Sequence, residues 1–277
     1  MNNKLLALFG LKWNPFLPDV PVEALWKSAK IDHFCWRMEA LAREGGFALI
    51  TGDPGTGKSV SLRALAHHLA GLPDVVTGVL TRPQSSIGDF YRELGDLFGV
   101  PLSPHNRWAG FKVLRQTWLT HVDSTRFRPA LLVDEAQEMP PAVLSELRIL
   151  ASTDFDSRSI LTVVLCGDRR LTRRFRRDEL LPVASRIRVR LNLDYLSPKD
   201  LLEWLQHSLA QAGQPNLMSP EVMSTLTEHA AGNLRVLANM GNDLLAEAVR
   251  RELPQIDQKL YFEVFAAQNT RGNPARG

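Results

Sequence analysis

The 277-residue sequence holds only two cysteines, Cys35 and Cys166. Two thiols cannot build a disulfide framework and these stand at no metal-ligand spacing, so they read as buried thiols of a reducing compartment. No apolar run approaches the roughly 18 residues of a membrane span. The opening M-N-N-K-L-L-A-L-F-G carries one charge and no small-residue cleavage site, and it runs into charged, proline-rich sequence, which argues against a signal peptide. A cytoplasmic chain with no membrane partner is the simplest reading. The net charge of +3 is small, so an anionic partner can be argued only from local patches. One such patch exists: nine arginines against Asp178 and Glu179 between Arg169 and Arg190. It suits nucleic acid, an anionic surface or a neighbouring subunit's phosphates, or it is a solvated helix face.

What the chain does contain is an ordinary apolar fraction of 44%, ample for a core, and one sharply defined motif. Gly52-Asp53-Pro54-Gly55-Thr56-Gly57-Lys58-Ser59 matches G-x-x-x-x-G-K-[ST] in full. The apolar run Phe47–Thr51 before it predicts a strand. Leu62, Leu65, Ala66 and Leu69 after it predict a helix from Val60 to Ala70, which is the context that gives the motif meaning. The glycines allow backbone N–H groups to turn inward around phosphate oxygens at the positive end of that helix. Lys58 is placed to reach the β- and γ-phosphates, and the Ser59 hydroxyl to enter a Mg²⁺ shell.

Further along, Leu131-Leu132-Val133-Asp134-Glu135 reads as a buried strand delivering two consecutive acids at its end. Asp134 suits the Mg²⁺ shell opposite Ser59, and Glu135 can orient the water that attacks the γ-phosphate. Two acids capping a helix start is the plainer alternative. No N-K-x-D base-recognition motif follows, which favours adenine over guanine.

The order of elements predicts an α/β fold. Strands at Val75–Leu80, Ala130–Val133, Ile160–Leu165 and Ile187–Leu193 join the one before the loop. Helices are expected at Ile31–Glu44, Ile87–Phe98, Phe111–Thr120 and Ala142–Leu150, with an arginine-rich one after Leu165, and a loop at Pro101–Arg107. Mostly apolar strands alternating with helices imply a parallel five-stranded sheet covered on both faces, with ligands at the strands' carboxyl ends. From about residue 195 only helices are expected, at Pro198–Ala212, Pro220–Ala230, Leu234–Glu252 and Ile256–Gln268. The division is an N-terminal segment 1–45, a nucleotide-binding core 46–194, a helical lid 195–268 and a frayed tail 269–277.

Together these runs resemble the AAA+ ATPases, and within them the ExeA-like group. The likeness extends over nearly the whole chain. It begins at Phe9-Gly10-Leu11 and Asn14-Pro15-Phe16, and passes through the phosphate loop, L-L-V-D-E-A-Q-E-M, S-E-L-R-I-L and V-V-L-C-G-D. It ends with S-R-I-R-V-R-L-N-L-D-Y-L-S and A-G-N-L-R-V-L. The resemblance implies that ATP and Mg²⁺ are the cofactors. Asn14, Pro15 and Phe16 would line an adenine pocket, although Phe16 could equally be core. Gly52 to Ser59 with Val60 would hold the phosphates, and Lys58 and Glu135 would be catalytic. Arg235 would be the lid's sensor arginine, contacting the γ-phosphate. Asp168 falls where a polar sensor is expected after the fourth strand. Arg186, or else Arg176 or Arg177, would be an arginine finger offered to the next subunit, so that a homo-oligomeric ring or filament is implied.

Two tasks are known in this group, and a third reading is a scaffold that binds ATP without significant turnover. Some members assist assembly of a secretion apparatus and carry a membrane span and a wall-binding region past the lid. Others resemble transposition regulators of the TnsC, TniB and MuB kind, which assemble on duplex DNA and recruit a transposase, sometimes with a target selector. This sequence stops after the lid and has local basic character, so the expectation ranks the transposition regulator first. DNA contacts would be mainly to phosphates, with Arg82, Arg92, Arg107, Lys112 and Arg115 as candidates and the arginines at 169–177 as a second set.

Overall fold

The computed structural model describes residues 8–100, 107–125, 127–154 and 157–271. They fall into two compact units. The first holds Lys27–Asp53 and Gly57–Leu193. The second collects the described residues up to Trp26, Pro54–Thr56 and those from Asp194 onward.

In the first unit, α1 (Ala29–Glu44) leads into β1 (Gly46–Gly52). Then follow α2 (Lys58–Ala70), β2 (Val75–Leu80), α3 (Ile87–Phe98), α4 (Arg107–Thr120) and β3 (Arg128–Val133). Next come α5 (Pro141–Ala151), β4 (Thr162–Gly167), α6 (Arg169–Arg174), α7 (Leu181–Ala184) and β5 (Ile187–Leu193). The five strands form one parallel sheet in the order β2-β3-β4-β1-β5, the arrangement of the AAA+ P-loop NTPase fold.

Strand alternation splits the core in two. Phe47, Leu49, Leu131, Val133, Val163 and Leu165 pack on one face with α5 and α3 residues such as Leu144, Leu147 and Phe90. Ala48, Ile50, Ala130, Leu132, Val164 and Cys166 pack on the other with Phe34, Met38, Leu65 and Leu69 of α1 and α2. The central strands β1 and β4 are buried at every position, which is why they read as unbroken apolar runs. The edge strand β5 buries only alternate residues. Its Arg188, Arg190 and Asn192 lie on the exposed side, and charge there discourages pairing with a foreign strand.

Several boundaries differ from the sequence expectation. β4 spans Thr162–Gly167 rather than Ile160–Leu165. Ile160 is spent instead on closing a two-residue hairpin, Ser152–Thr153 with Arg158–Ser159, through its N–H on Ala151 O. The arginine-rich helix is short: α6 ends at Arg174, and a turn through Phe175 leads to α7. Residues 101–106 of the expected loop lie outside the described residues, whereas its last residue, Arg107, already opens α4, four residues ahead of the expected start at Phe111.

The second unit is helical: α8 (Pro198–Gln211), α9 (Pro220–His229), α10 (Leu234–Arg250) and α11 (Gln258–Arg271). Ser197 and Asp200 form a reciprocal capping box at the start of α8, which explains the sharp change at Leu196-Ser197-Pro198. Ile256 joins Met218 in an isolated parallel bridge, so α11 starts after it and continues to Arg271. Residues 272–277 of the expected frayed tail lie outside the described residues. The core of this unit includes Leu201, Leu205, Leu226, Leu237 and Leu244, with Phe9, Leu11 and Phe16 from the N-terminal segment. The stretch 1–45 is therefore divided: its described part up to Trp26 packs with the helices, whereas α1 packs on the sheet.

Phe16 lies against Gly241 of α10 so closely that an added Cβ would stand 2.6 Å from the ring. Gly241→Ala gains about 0.5–1 kcal/mol of helix propensity but overpacks the contact at about 1–3 kcal/mol. The urea midpoint should fall with an unchanged slope.

Candidate nucleotide site

The parallel register brings three strand ends to one edge of the sheet. Thr51 of β1 is paired with Gly167 of β4, and Val133 of β3 with Leu165. Asp53, Asp134 and Asp168 thus leave the sheet at its carboxyl edge, where ligands of such sheets bind.

Gly57 caps α2 at φ 92° and Gly55 lies at φ 84°, a backbone region in which side chains are strained. These two torsions turn the chain so that α2 starts immediately after the loop. Lys58, its first residue, is buried, and its Nζ donates to Asp53 O at 3.1 Å. Ser61 Oγ donates to Gly57 O at 3.0 Å and tightens the first turn. Asp53 is paired with Arg169 at 2.5 Å, which ties the loop to the start of α6. Ser59 and Val60 follow on the first turn, Ser59 exposed.

At the end of β3, the Asp134 carboxylate accepts the Glu135 N–H at 2.9 Å. Glu135 itself is exposed and adopts φ 50°, the left-handed region that non-glycine residues enter at a cost. Its carboxylate accepts a hydrogen bond from Gln137 Nε2. Cys166 lies beneath: burial first, and then the Asp134 carboxylate that its thiol meets, push its pKa far above the usual thiol range. Asp168 caps α6, accepting from Arg170 N at 2.7 Å and pairing with the Arg170 side chain at 2.9 Å.

A hydroxyl and a carboxylate, Ser59 and Asp134, are the hard oxygen donors that Mg²⁺ takes when substrate phosphates complete its shell. No group of three His, Cys, Asp or Glu side chains among the described residues could cage a metal by itself. A hydroxyl and a carboxylate are donors of the kind that suits a Mg²⁺ carried on phosphates.

Within the helical unit, the loop tip Pro54–Thr56 meets the start of α10. Asn233 accepts the N–H groups of Arg235 and Val236 at 3.0 and 3.2 Å and donates through Nδ2 to Pro54 O at 3.3 Å. Leu234 N–H donates to Gly55 O at 3.0 Å. A Cβ on Gly55 would stand 2.0 Å from Asn233 Oδ1, so the contact itself demands glycine. Arg235 is exposed on the first turn of α10. Asn14, Pro15 and Phe16 are all buried. Asn14 bridges Asn242 at 2.8 Å and accepts the Phe16 N–H at 3.0 Å.

The remaining candidates are dispersed. Arg186 is half-buried, with its guanidinium donating to Pro182 O, and Arg176 and Arg177 are exposed. Arg82 and Arg92 are exposed on and before α3, Arg92 paired with Asp89 at 2.9 Å. Lys112 lies over the Trp108 ring, and Arg115 over Phe111 while donating to Ile149 O at 2.9 Å. Arg107 opens α4. The sequence offers Arg169 and Arg174 only as part of a basic patch, whereas the structure engages them with Asp53 and with the Gln137 and Met139 carbonyls; no role for Gln137 was expected. Gln137 stands in the D-E-A-Q run, but no spacing announces that its amide folds back. Asn233 had a legible signal, since asparagine before a helix start favours the cap.

Residues 41–175 match the family model described as an AAA domain. The general secretion pathway protein A of Aeromonas hydrophila is 30% identical over 236 residues, covering 83% of this chain; the chain spans 42% of that relative's length. Among solved structures, Cdc6p from Pyrobaculum aerophilum superposes with a TM-score of 0.70 at 15% identity, covering 94% of this chain and 74% of the other. The Aeropyrum pernix ORC2 protein in its ADPNP–ADP complexes gives 0.70 at 12% identity, covering 95% and 75%.

Both thiols should be unreactive in the folded protein: burial pushes Cys35 up to about 11, and Cys166 lies higher still. Iodoacetamide at pH 8 should leave both unmodified and should label both once urea unfolds the chain. Residues 41–175 are an AAA-family ATPase domain, carried on the AAA+ P-loop NTPase fold.

Proposed function

We propose that the chain is an ATP-hydrolysing switch that works in assembling a secretion apparatus of the cell envelope. The observation that carries the hydrolytic part is the sheet edge where the Lys58 loop, Asp134 and Glu135 come out together. The loop's N–H groups and Lys58 hold the β- and γ-phosphates. Ser59 and Asp134 hold Mg²⁺, which when bound neutralises phosphate charge. Glu135 orients a water for in-line attack on the γ-phosphorus. The bond to the bridging oxygen breaks, ADP leaves with that oxygen, and the water proton passes by way of the carboxylate to solvent or phosphate. Arg235 of the lid and Arg186, Arg176 or Arg177 of an adjoining copy offset the transferring charge, so turnover is coupled to assembly of a homo-oligomer.

The secretion role is supported by the likeness to general secretion pathway protein A, which extends over 236 residues. That likeness reverses the order in which the sequence ranked the two tasks. Transposition regulation, with its transposase and duplex DNA, is left resting on the resemblance alone. Among the DNA-facing candidates, Arg92 pairs with Asp89 and Arg115 donates to Ile149 O within the chain. No helix among the described residues is long and apolar enough to cross a membrane.

Glu135→Gln should keep nucleotide binding and lower turnover by about 10²-fold or more, whereas Lys58→Ala should lose binding. Single-turnover hydrolysis and titration with a fluorescent ATP analogue separate the two. Sedimentation with a slowly hydrolysed ATP analogue tests the cellular role. Assembly that needs ATP but not duplex DNA supports the secretion reading, and assembly only with both returns the transposition reading to first place.

A further inference from the structure

We infer that Gln137 is a positioning residue for Glu135, resting on the ATPase reading above. Gln137 is 5% exposed, and each end of its amide is engaged. Oε1 accepts the Asp168 N–H at 3.2 Å, beyond the end of β4. A backbone N–H can only donate, so the oxygen must face it, and Nε2 is thereby turned to Glu135 Oε2. The orientation of the amide is thus set by the sheet.

The surroundings keep that geometry in place. A Cβ on Gly167 would stand 2.5 Å from Gln137 Oε1, so this position has no room for a side chain. Arg174 donates to the Gln137 and Met139 carbonyls, the second at 2.6 Å. Its guanidinium is partly buried beneath the 3₁₀ turn Ala136–Glu138, and that burial lowers its pKa. Glu135 starts this turn at a left-handed torsion, so neither its backbone nor its exposure alone would hold the carboxylate still. Gln137 occupies one carboxylate oxygen and leaves the other for the attacking water. Arg174 belongs to this support and is not a candidate for the next subunit.

The test compares Gln137→Glu, which keeps an oxygen for Asp168 N–H but removes the donor to Glu135, with Gln137→Met, which removes both bonds at similar volume. Each is made in the wild-type chain and in Glu135→Gln. In the wild-type chain both should lower kcat by on the order of 10²-fold, with nucleotide Kd unchanged. In Glu135→Gln each should change the residual rate by less than about twofold, because the residue acts through that carboxylate. Melting temperature shows which variant folds, and the one that does decides. Equal losses in both backgrounds, or a kcat within about twofold of wild type, would overturn the assignment. A wild-type chain that hydrolyses no ATP would instead sink the ATPase reading, and this inference with it.

Discussion

The parallel register of β3, β4 and β1 sets the heights at which Asp134, Asp168 and Asp53 leave the sheet. Because strands in such a sheet are joined by rigid ladders of backbone hydrogen bonds, a slip of one residue would turn every side chain to the opposite face. Two apolar layers forbid that slip: Phe47, Leu49 and Val163 belong to one, Ala48, Ile50 and Val164 to the other. The core is therefore what aims the acids, and the site inherits its geometry from packing some distance from any phosphate.

Around that edge the polar side chains form a support in which few groups act alone. Asp53 is tied to Arg169, Asp134 to the Glu135 N–H and the Cys166 thiol, and Glu135 to Gln137. Gln137 leads on to Asp168 N–H, and Arg174 holds its carbonyl. The arginine-rich segment serves two ends here: Arg169, Arg170 and Arg174 are used inside the unit, whereas Arg176 and Arg177 face outward. A run that looked uniformly basic is divided by the short turn of α6, which ends after six residues.

In the helical unit the same economy holds. Asn233 spends its oxygen on capping α10 and its amide nitrogen on Pro54, so one side chain both starts the helix and grips the loop tip. Asn14 and Phe16 pack on α10 at Asn242 and Gly241, which places the N-terminal segment with the lid helices despite its distance in sequence.

The phosphate loop, the Asp134–Glu135 pair and the alternation of strands with helices were legible because each has a local cause. Glycines permit positive torsions, apolar runs of strand length bury on both faces, and Ser197 or Asn233 ahead of a periodic stretch starts a helix. By itself the sequence determined that much: which elements form, and where a phosphate-loop pattern and a pair of acids stand at the strand ends. The beginning of β4 was misplaced because Ile160 and Leu161 are as apolar as the strand, and only the hairpin at Ser152–Ser159 decides where pairing starts. The tertiary structure alone decided that Gln137 faces Glu135, that Arg174 turns inward and that Arg169 reaches Asp53. Those contacts join residues 2 to 116 positions apart, through side-chain directions that strand register and helix ends impose and no spacing encodes.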